Sequence, residues 1–242
     1  THHTMNHTVP TPLPWHQTVF AQWLSRQYSE RPAHASLVTA FEDTGGEQLV
    51  EAMAAAVLCE SPTAEQHACG TCGSCQLLAA YSHPDYRLLR PSIMDMAHPI
   101  EEMRPEKPSK EITIDDVRAL DNMVNQTSHR GGKRVVVVYP AHKLNRNAAN
   151  ALLKTLEEPP ANTLFILLAH DVQQLIPTIV SRCQLVVAGA PSAESAVMYL
   201  NQITPNPRWA CLLFTSDAAD QLTRVDTGGH RYIQNKMAAN QT

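Results

Sequence analysis

Residues 134–169 read RVVVVYPAHKLNRNAANALLKTLEEPPANTLFILLA and contain a strand, a helix and a second strand in succession. Arg134–Tyr139 includes four consecutive valines, and such an apolar, β-branched run is typical of a parallel strand that is covered on both faces. Asn147–Glu157 repeats apolar residues at i, i+3, i+4 and i+7, which predicts a helix that ends before the two prolines that follow. Thr163–Ala169 predicts another buried strand. A strand, helix and strand in this order indicate an α/β fold with a parallel sheet.

Weaker patterns on either side of this stretch continue the alternation of strands and helices. Short apolar runs predict strands at Ser36–Phe41, Asp85–Leu89 and Gln184–Val187. Apolar residues at helical spacing predict helices over Thr18–Tyr28, over Gln48–Cys59 and after Ile112. Arg90–Glu111 contains four prolines and has no clear period, so we expect a long mobile surface loop there.

Three parts of the chain are expected to differ in organisation. Residues 1–13 are rich in His, Thr and Pro and are predicted to be a disordered leader, whereas residues 14–188 form the α/β domain. Beyond Pro191 the strand signal disappears. Residues 191–242 therefore predict a small helical domain, with short helices at Ala193–Asn201, Trp209–Phe214 and Ala218–Arg224.

The composition is that of a globular protein without a membrane span. Of the 242 residues, 43% are hydrophobic and 17% charged, which allows a sizeable buried core. The longest unbroken apolar run, Ala52–Cys59, is far shorter than the roughly 18 residues that a membrane-spanning helix needs. The N-terminus lacks the features of a secretory signal, so we expect a cytoplasmic location. A formal charge of −4 argues against bulk electrostatic binding to nucleic acid, but it leaves room for a local basic face.

Four of the six cysteines lie close together in the sequence. Cys59, Cys69, Cys72 and Cys75 offer four soft sulfur ligands at short spacing, which suits tetrahedral zinc. Because sulfur would fill all four positions, no position is open to water, and the zinc is predicted to be structural rather than catalytic. An iron–sulfur cluster also takes four cysteines, and free thiols are the alternative to any metal site.

The turn EDTGGE lies between a predicted strand and the helix after it, which is where an NTPase carries its phosphate-binding loop. A working loop needs a lysine for the phosphates and a Ser or Thr for magnesium. With Gly45 as the last glycine of the loop, those positions hold Gly46 and Glu47. No Lys or Arg occurs between Pro32 and Tyr86, and no acidic residue follows the valine-rich strand to hold Mg²⁺. The sequence predicts a degenerate loop and no ATP bound by this chain.

The run Asn147–Pro160, the strand after it and the triplet Ser181-Arg182-Cys183 together resemble the bacterial clamp-loader subunits of the AAA+ class. The four-cysteine insertion is also a feature of that family, and the degenerate loop points to its non-hydrolysing type of subunit. The resemblance covers Pro14–Pro191. It implies an AAA+ RecA-like parallel sheet flanked by helices, with a zinc-binding insertion and a small helical lid. A further helical collar domain is expected to be absent, as if the chain were truncated before it.

The resemblance also implies an activity and partners. Such a subunit would assemble with the delta subunit and with the ATP-hydrolysing gamma or tau subunits, open the ring-shaped sliding clamp and place it on primed DNA. In that assembly Arg182 would act in trans, as an arginine finger on the ATP of the neighbouring subunit. A guanidinium suits the role because it is permanently charged and its donor fork matches phosphate oxygens. The chain is expected to lack ATPase activity of its own while forming part of the DNA polymerase III holoenzyme.

A basic window runs from Asn122 to Leu156, where the sequence has no Asp or Glu. Its positive charges could contact the DNA backbone or an acidic partner surface, or could form an ordinary solvated face. They are Arg130, Lys133, Arg134, Lys143, Arg146 and Lys154.

Two other classes of protein remain open at this point. An active AAA+ NTPase with an unusual phosphate site would bind nucleotide, which the missing lysine and magnesium ligand disfavour. A stand-alone zinc-containing nucleic-acid-binding module would need basic residues around its metal, and the cysteine segment carries no Lys or Arg.

Overall fold

The computed structural model describes residues 9–98, 100–124 and 132–203. The first eight residues of the predicted leader and the predicted helices at 209–214 and 218–224 lie outside the described residues. None of the helices in these ranges is both long enough and apolar enough to cross a bilayer.

Five parallel strands form a single sheet within the described ranges, in the spatial order β2-β3-β4-β1-β5. The strands are β1 (Ala35–Thr39), β2 (Tyr86–Leu89), β3 (Arg134–Val138), β4 (Thr163–Ala169) and β5 (Gln184–Val187). The predicted parallel sheet is confirmed, and β4 and β5 have the predicted bounds.

Alternate residues of the central strands supply two separate hydrophobic cores, one on each face of the sheet. In β3, Val135 and Val137 pack into one core, whereas Val136 and Val138 pack into the other. All four are fully buried. This two-sided burial explains why the strand is apolar at every position rather than at every second one.

Helices cover both faces of the sheet. Their bounds are α1 (Gln17–Gln27), α2 (Gly46–Leu58), α3 (Gly73–Ala79), α4 (Ile114–Val124), α5 (Arg146–Glu157), α6 (Pro177–Val180) and α7 (Ala193–Ile203). The first two helices contribute large buried side chains such as Trp23 and Met53 to one core. The fourth to sixth cover the other face, with residues such as Leu152, Leu156 and Ile179. Asn145 caps α5, since its Oδ1 accepts a hydrogen bond from the backbone N–H of Ala148 at 2.8 Å.

Arg90–Glu111 is more regular than the sequence predicted. It contains two 3₁₀ helices, Ser92–Ala97 and Glu101–Met103. The backbone N–H of Ile93 donates to the carbonyl of Ser109 at 2.9 Å, which closes the segment on itself. Arg90 also pairs with Asp95 at 2.5 Å. These tertiary contacts, rather than any sequence period, give the segment its structure.

The N-terminal segment differs from its prediction at Leu13. This residue was predicted to lie in a disordered leader, but it is 5% exposed and packs within the fold. It precedes a 3₁₀ helix, Pro14–His16, in which the Trp15 ring packs edge-on against Tyr199 of α7 at a centroid distance of 5.4 Å. The start of the chain therefore bridges the sheet domain and the first helix of the predicted lid. The division into domains at 188–191 stays a prediction.

Candidate functional site

The four cysteines predicted as metal ligands converge between α2 and α3. Cys59 follows the last residue of α2, Cys72 is the N-cap of α3 and Cys75 lies in its first turn. The four Sγ atoms lie within 4.8 Å of one another, with 3.9 Å between Cys59 and Cys72 and 4.0 Å between Cys69 and Cys75. Tetrahedral zinc with Zn–S bonds of about 2.3 Å separates its sulfurs by about 3.8 Å. The cluster therefore has a spacing that could hold a metal ion, and it is the one such group found among the residues placed by the structure.

Backbone N–H groups around the cluster favour the thiolate form. Cys69 Sγ accepts hydrogen bonds from the N–H groups of Thr71 at 3.5 Å and Cys72 at 3.3 Å, and these lower the pKa of Cys69 to about 6. Burial instead raises the pKa of the Cys75 thiol, which is fully enclosed. A metal-bound sulfur must be deprotonated. A bound cation would offset the cost of a buried thiolate at Cys75, so the donor set fits a metal of zinc type.

A buried hydrogen bond joins the cysteine segment to the sheet. His83 Nδ1 accepts from the backbone N–H of Asp85 at 3.1 Å, so its Nε2 carries the proton and donates to Ser74 Oγ at 2.7 Å. All three residues are buried. Because Ser74 precedes Cys75 and Asp85 precedes β2, the cysteine cluster is tied to one edge of the sheet.

The predicted phosphate loop joins β1 to α2 at the carboxyl edge of the sheet. Gly45 is the N-cap of α2 with φ of 85°, a left-handed conformation that favours glycine. Gly46 is the first residue of the helix, and Glu47 lies in its first turn. A Cβ added at Gly46 would lie 2.8 Å from the Cβ of Ala40. The position at which a lysine would be needed therefore has no room for a side chain.

The N-terminal segment covers the same loop. Leu13 packs so closely on Gly45 that a Cβ there would lie 2.1 Å from Leu13 Cδ1. Trp15 Nε1 donates to the carbonyl of Thr44 at 2.9 Å. The side-chain amide of Gln48 also donates to the carbonyl of Thr11 at 2.7 Å. A phosphate group that approached Gly45 would have to displace these residues.

Arg182 lies between α6 and β5, and buried neighbours hold its backbone. Ile179 is 1% exposed. Cys183 packs against the same core, and burial raises the pKa of its thiol to about 11. Ser181 Oγ donates to the carbonyl of Thr178 at 3.1 Å. The arginine side chain itself stays one-third exposed. The triplet therefore combines a hydroxyl that caps the turn, an accessible guanidinium and a thiol that anchors to the core.

The Arg182 guanidinium makes three intramolecular hydrogen bonds, one of which runs from Nη1 to Ser181 Oγ at 3.5 Å. Its Nη2 donates to Glu157 Oε1 at 2.5 Å, and its Nη1 donates to the carbonyl of Thr178 at 3.0 Å. Glu157 is the last residue of α5.

Arg182 and the phosphate loop lie at opposite edges of the sheet. Strands β1 and β5 are parallel, with Ser36 beside Gln184. The residues just before β5 therefore lie at the amino edge, whereas Gly45 follows the carboxyl end of β1. The five residues of β1 alone span roughly 16 Å. Arg182 is out of reach of this chain's own loop.

Lys143, Arg146 and Lys154 of the basic window are exposed. The first two lie near the carboxyl edge of the sheet, where α5 begins. Lys154 lies two turns further along the helix, roughly 12 Å away along its axis. These three residues are available for contact with an acidic partner or with a nucleic acid.

Among the described residues, Arg134 and Lys133 do not extend this surface. Arg134 is only 6% exposed, and its Nη2 donates to the carbonyl of Ala161 at 2.9 Å. Its prediction as a DNA or partner contact is therefore wrong, because a buried guanidinium is not accessible to phosphate. Lys133 lies at the amino edge, where its Nζ donates to the carbonyl of Gln27 at 3.4 Å. Arg130 lies outside the described residues.

Two features of the site were missed by the sequence analysis. Glu157 was read only as part of a helix end, although it pairs with Arg182 across 25 residues of sequence. Leu13 was assigned to the leader. A signal existed for the first, because an acidic residue in the last turn of a helix is unfavourable for the helix dipole. We find no such signal for Leu13, because its partner Gly45 is identified only by the fold.

Comparisons with known proteins agree with this geometry. The family described as "DNA polymerase III, delta subunit" matches residues 15–190. The DNA polymerase III subunit delta' of Pseudomonas aeruginosa is 40% identical over 193 residues, which cover 80% of this chain and 53% of that protein. The subunit delta' of Escherichia coli (strain K12) is 35% identical over 189 residues, covering 78% of this chain and 52% of that protein. The chain thus spans about half the length of the curated relatives it matches.

A solved structure supports the fold. The DNA polymerase III gamma subunit-related protein of Thermotoga maritima superposes with a TM-score of 0.53 at 20% identity, covering 86% of this chain and 54% of that one. The parallel sheet, its flanking helices and this likeness define an α/β fold of AAA+-like type with an inserted cysteine cluster, as predicted. The sequence matches make the assignment more particular. The chain belongs to the family of DNA polymerase III delta-prime subunits.

Proposed function

We propose that this chain is the non-hydrolysing subunit of a bacterial clamp loader. In this role it assembles with delta and with gamma or tau, helps to open the sliding clamp and places it on primed DNA. It contributes Arg182 to the ATP site of a neighbouring subunit. The observation that carries the proposal is the position of Arg182, which lies at the edge of the sheet opposite the chain's own phosphate loop.

The absence of hydrolysis follows from the loop itself. Gly46 offers no cation for the phosphates, and its surroundings leave no space for one. Glu47 adds a negative charge where phosphate would bind, and Leu13 lies over Gly45. Mg²⁺ and phosphate charge would go uncompensated, so binding and turnover by this chain alone are not expected. The same features weigh against an active NTPase.

The exposure of the Arg182 side chain and the packing of its backbone support the proposed role in trans. The side chain reaches solvent, while the buried Ile179 before it and the partly buried Cys183 after it hold its backbone against the core. An arginine held in this way can enter a neighbour's site without a large loss of backbone entropy. It would stabilise the charge that develops on the transferring phosphoryl group.

We propose that the cysteine cluster holds a structural zinc ion. Cys59, Cys69, Cys72 and Cys75 would be its ligands, and the metal would supply folding free energy to a segment that lacks a core of its own. Through the hydrogen bond between Ser74 and His83, that stability is passed on to the start of β2.

Reconstitution of the loader tests the proposal. The chain, extended to the length of its curated relatives, is combined with delta, gamma or tau, the clamp and primed DNA, and both clamp loading and ATP turnover are measured. Arg182→Ala should abolish turnover at the adjacent site, since such fingers contribute on the order of 10³ to 10⁵ in rate. The total loss is smaller because the other sites remain intact. Arg182→Lys should rescue poorly, because an ammonium lacks the donor fork.

Arg26→Ala is the matched control, because Arg26 is an exposed arginine on the helix that covers the other face of the sheet. It should leave loading unchanged. Normal clamp-loading rates for Arg182→Ala at saturating ATP would remove Arg182 from the mechanism.

A further inference from the structure

We propose that Glu157 is a positioning residue whose carboxylate is an exchangeable counter-ion for the Arg182 guanidinium. The carboxylate holds the guanidinium until the phosphates of a neighbouring ATP take the place of the carboxylate. This inference rests on the proposed function of Arg182. It adds a second residue, which regulates when the arginine is available.

The geometry is that of a close but solvent-accessible ion pair. Arg182 Nη2 and Glu157 Oε1 lie 2.5 Å apart, in direct contact and with opposite charges. The arginine side chain is 33% exposed and the glutamate side chain 51% exposed. Pairs this open to water contribute little net free energy, so they separate easily. A buried pair could not exchange in this way, because an uncompensated charge would remain.

The chemistry of the two acceptors is matched. Carboxylate and phosphate both present oxygen acceptors that fit the guanidinium fork. Glu157 takes one N–H of Nη2, and Nη1 donates both to the carbonyl of Thr178 and to Ser181 Oγ. Since a guanidinium has five N–H donors, the remaining donors can meet an incoming phosphate before the carboxylate leaves. The guanidinium is therefore already oriented before a phosphate group arrives.

The position of Glu157 is unfavourable for its own helix. It is the last residue of α5, where the negative end of the helix dipole repels a carboxylate. No acidic residue is needed there for helix stability. Glu158 lies next to it, is also exposed and makes no ion pair with another described residue. The pairing with Arg182 therefore distinguishes the first glutamate from the second.

Steady-state clamp loading as a function of ATP concentration tests the inference in the reconstituted complex. Glu157→Gln removes the competing charge with little change in size, and Glu158→Gln is the matched control. We expect Glu157→Gln to lower the KM for ATP about two- to fivefold, the range for an exposed ion pair, with kcat unchanged. Glu157→Asp keeps the charge and should fall between Glu157→Gln and wild type. Glu158→Gln should match wild type.

A measurement without ATP accompanies the kinetics. The NMR resonances of the Arg182 side-chain N–H groups should shift in Glu157→Gln and stay in place in Glu158→Gln. Unchanged resonances, an unchanged KM or a loss of kcat in Glu157→Gln would overturn the counter-ion role. These outcomes are separable from failure of the proposed function, because only that failure leaves Arg182→Ala with normal loading.

Discussion

Tyr139→Phe is expected to destabilise the fold through a group of charged residues beside the phosphate loop. The Tyr139 hydroxyl donates to Glu51 Oε1 at 3.0 Å and accepts from Arg90 Nη1 at 3.1 Å. Tyr139 is 3% exposed, so water does not replace a lost hydroxyl freely. Hydrogen bonds to charged groups contribute about 1.5–3 kcal/mol each, and they are not additive within a network.

Arg90 keeps its bond to Asp95 in the variant, so most of the cost falls on Glu51. We therefore expect a loss of about 2 kcal/mol in the free energy of unfolding near neutral pH. In a protein of this size that corresponds to a fall of roughly 4–8 °C in Tm. Urea unfolding followed by tryptophan fluorescence measures the loss directly. Tyr28→Phe is the control, because the Tyr28 ring is largely exposed, and it should change stability by less than about 0.5 kcal/mol.

The loss in Tyr139→Phe should depend on pH with a defined sign. Burial raises the pKa of Glu51, whereas the hydrogen bond from Tyr139 and the charge of Arg90 lower it. Removal of the hydroxyl therefore raises that pKa further. A carboxyl whose folded-state pKa lies above its unfolded value weakens the fold as pH rises from the unfolded pKa, about 4.3, through the folded pKa. The variant should lose more stability at pH 8 than at pH 5. A loss below about 0.5 kcal/mol at pH 8, or a larger loss at pH 5, would refute this reasoning.

Three further predictions concern the metal, the loop and the basic surface. Cys72→Ser, or removal of metal by a chelator, should increase hydrogen exchange between α2 and α3 while β3 and β4 stay protected, because metal binding is coupled to folding of that segment; elemental analysis without zinc and unchanged exchange would contradict this. Gly46→Lys should cost about 1–3 kcal/mol by overpacking and create no ATP binding in a fluorescence titration; tight binding would show that the loop is only one residue from function. The third variant replaces three exposed basic residues by Gln, namely Lys143, Arg146 and Lys154. It should reduce the affinity of the assembled loader for primed DNA and flatten the salt dependence of binding, whereas Lys133→Gln should change neither. Equal salt slopes for all variants would show that the surface is only solvated.

The parts of the fold that the sequence predicted best are those in which local pattern and tertiary burial agree. Strand β3 has valine at four consecutive positions because both of its faces are covered. Helix α5 has an apolar stripe, an N-cap at Asn145 and two prolines after its end. The cysteine cluster was predictable because short loop spacing alone brings sulfurs together. In these cases the residues that decide the structure are close in sequence.

The errors come from residues whose partners are distant in sequence. Arg134 carries a charge that suggested a surface position, yet its guanidinium is held by a carbonyl 27 residues away. Leu13 sits among prolines and threonines that suggested disorder, and its burial depends on the position of Gly45. The helix α3 is short and has no apolar period, so the cysteine cluster and the bond between Ser74 and His83 define it more than propensity does. Charge and composition indicate what chemistry a residue can perform, but they do not predict whether it is buried.

The packing of the chain's own start against the loop and against α7 has a thermodynamic consequence. A ligand shifts a conformational equilibrium only by the difference in its affinity for the two states. Leu13 and Trp15 already make the contacts that would otherwise be left for a small molecule, and Trp15 also meets Tyr199 of α7. Trp15 thus contacts both the loop and α7, and because it belongs to the same chain its effective concentration never changes. In the proposed loader, this part of the molecule should keep one shape whether cellular nucleotide is scarce or abundant, and it would serve as a fixed reference for the subunits proposed to hydrolyse ATP.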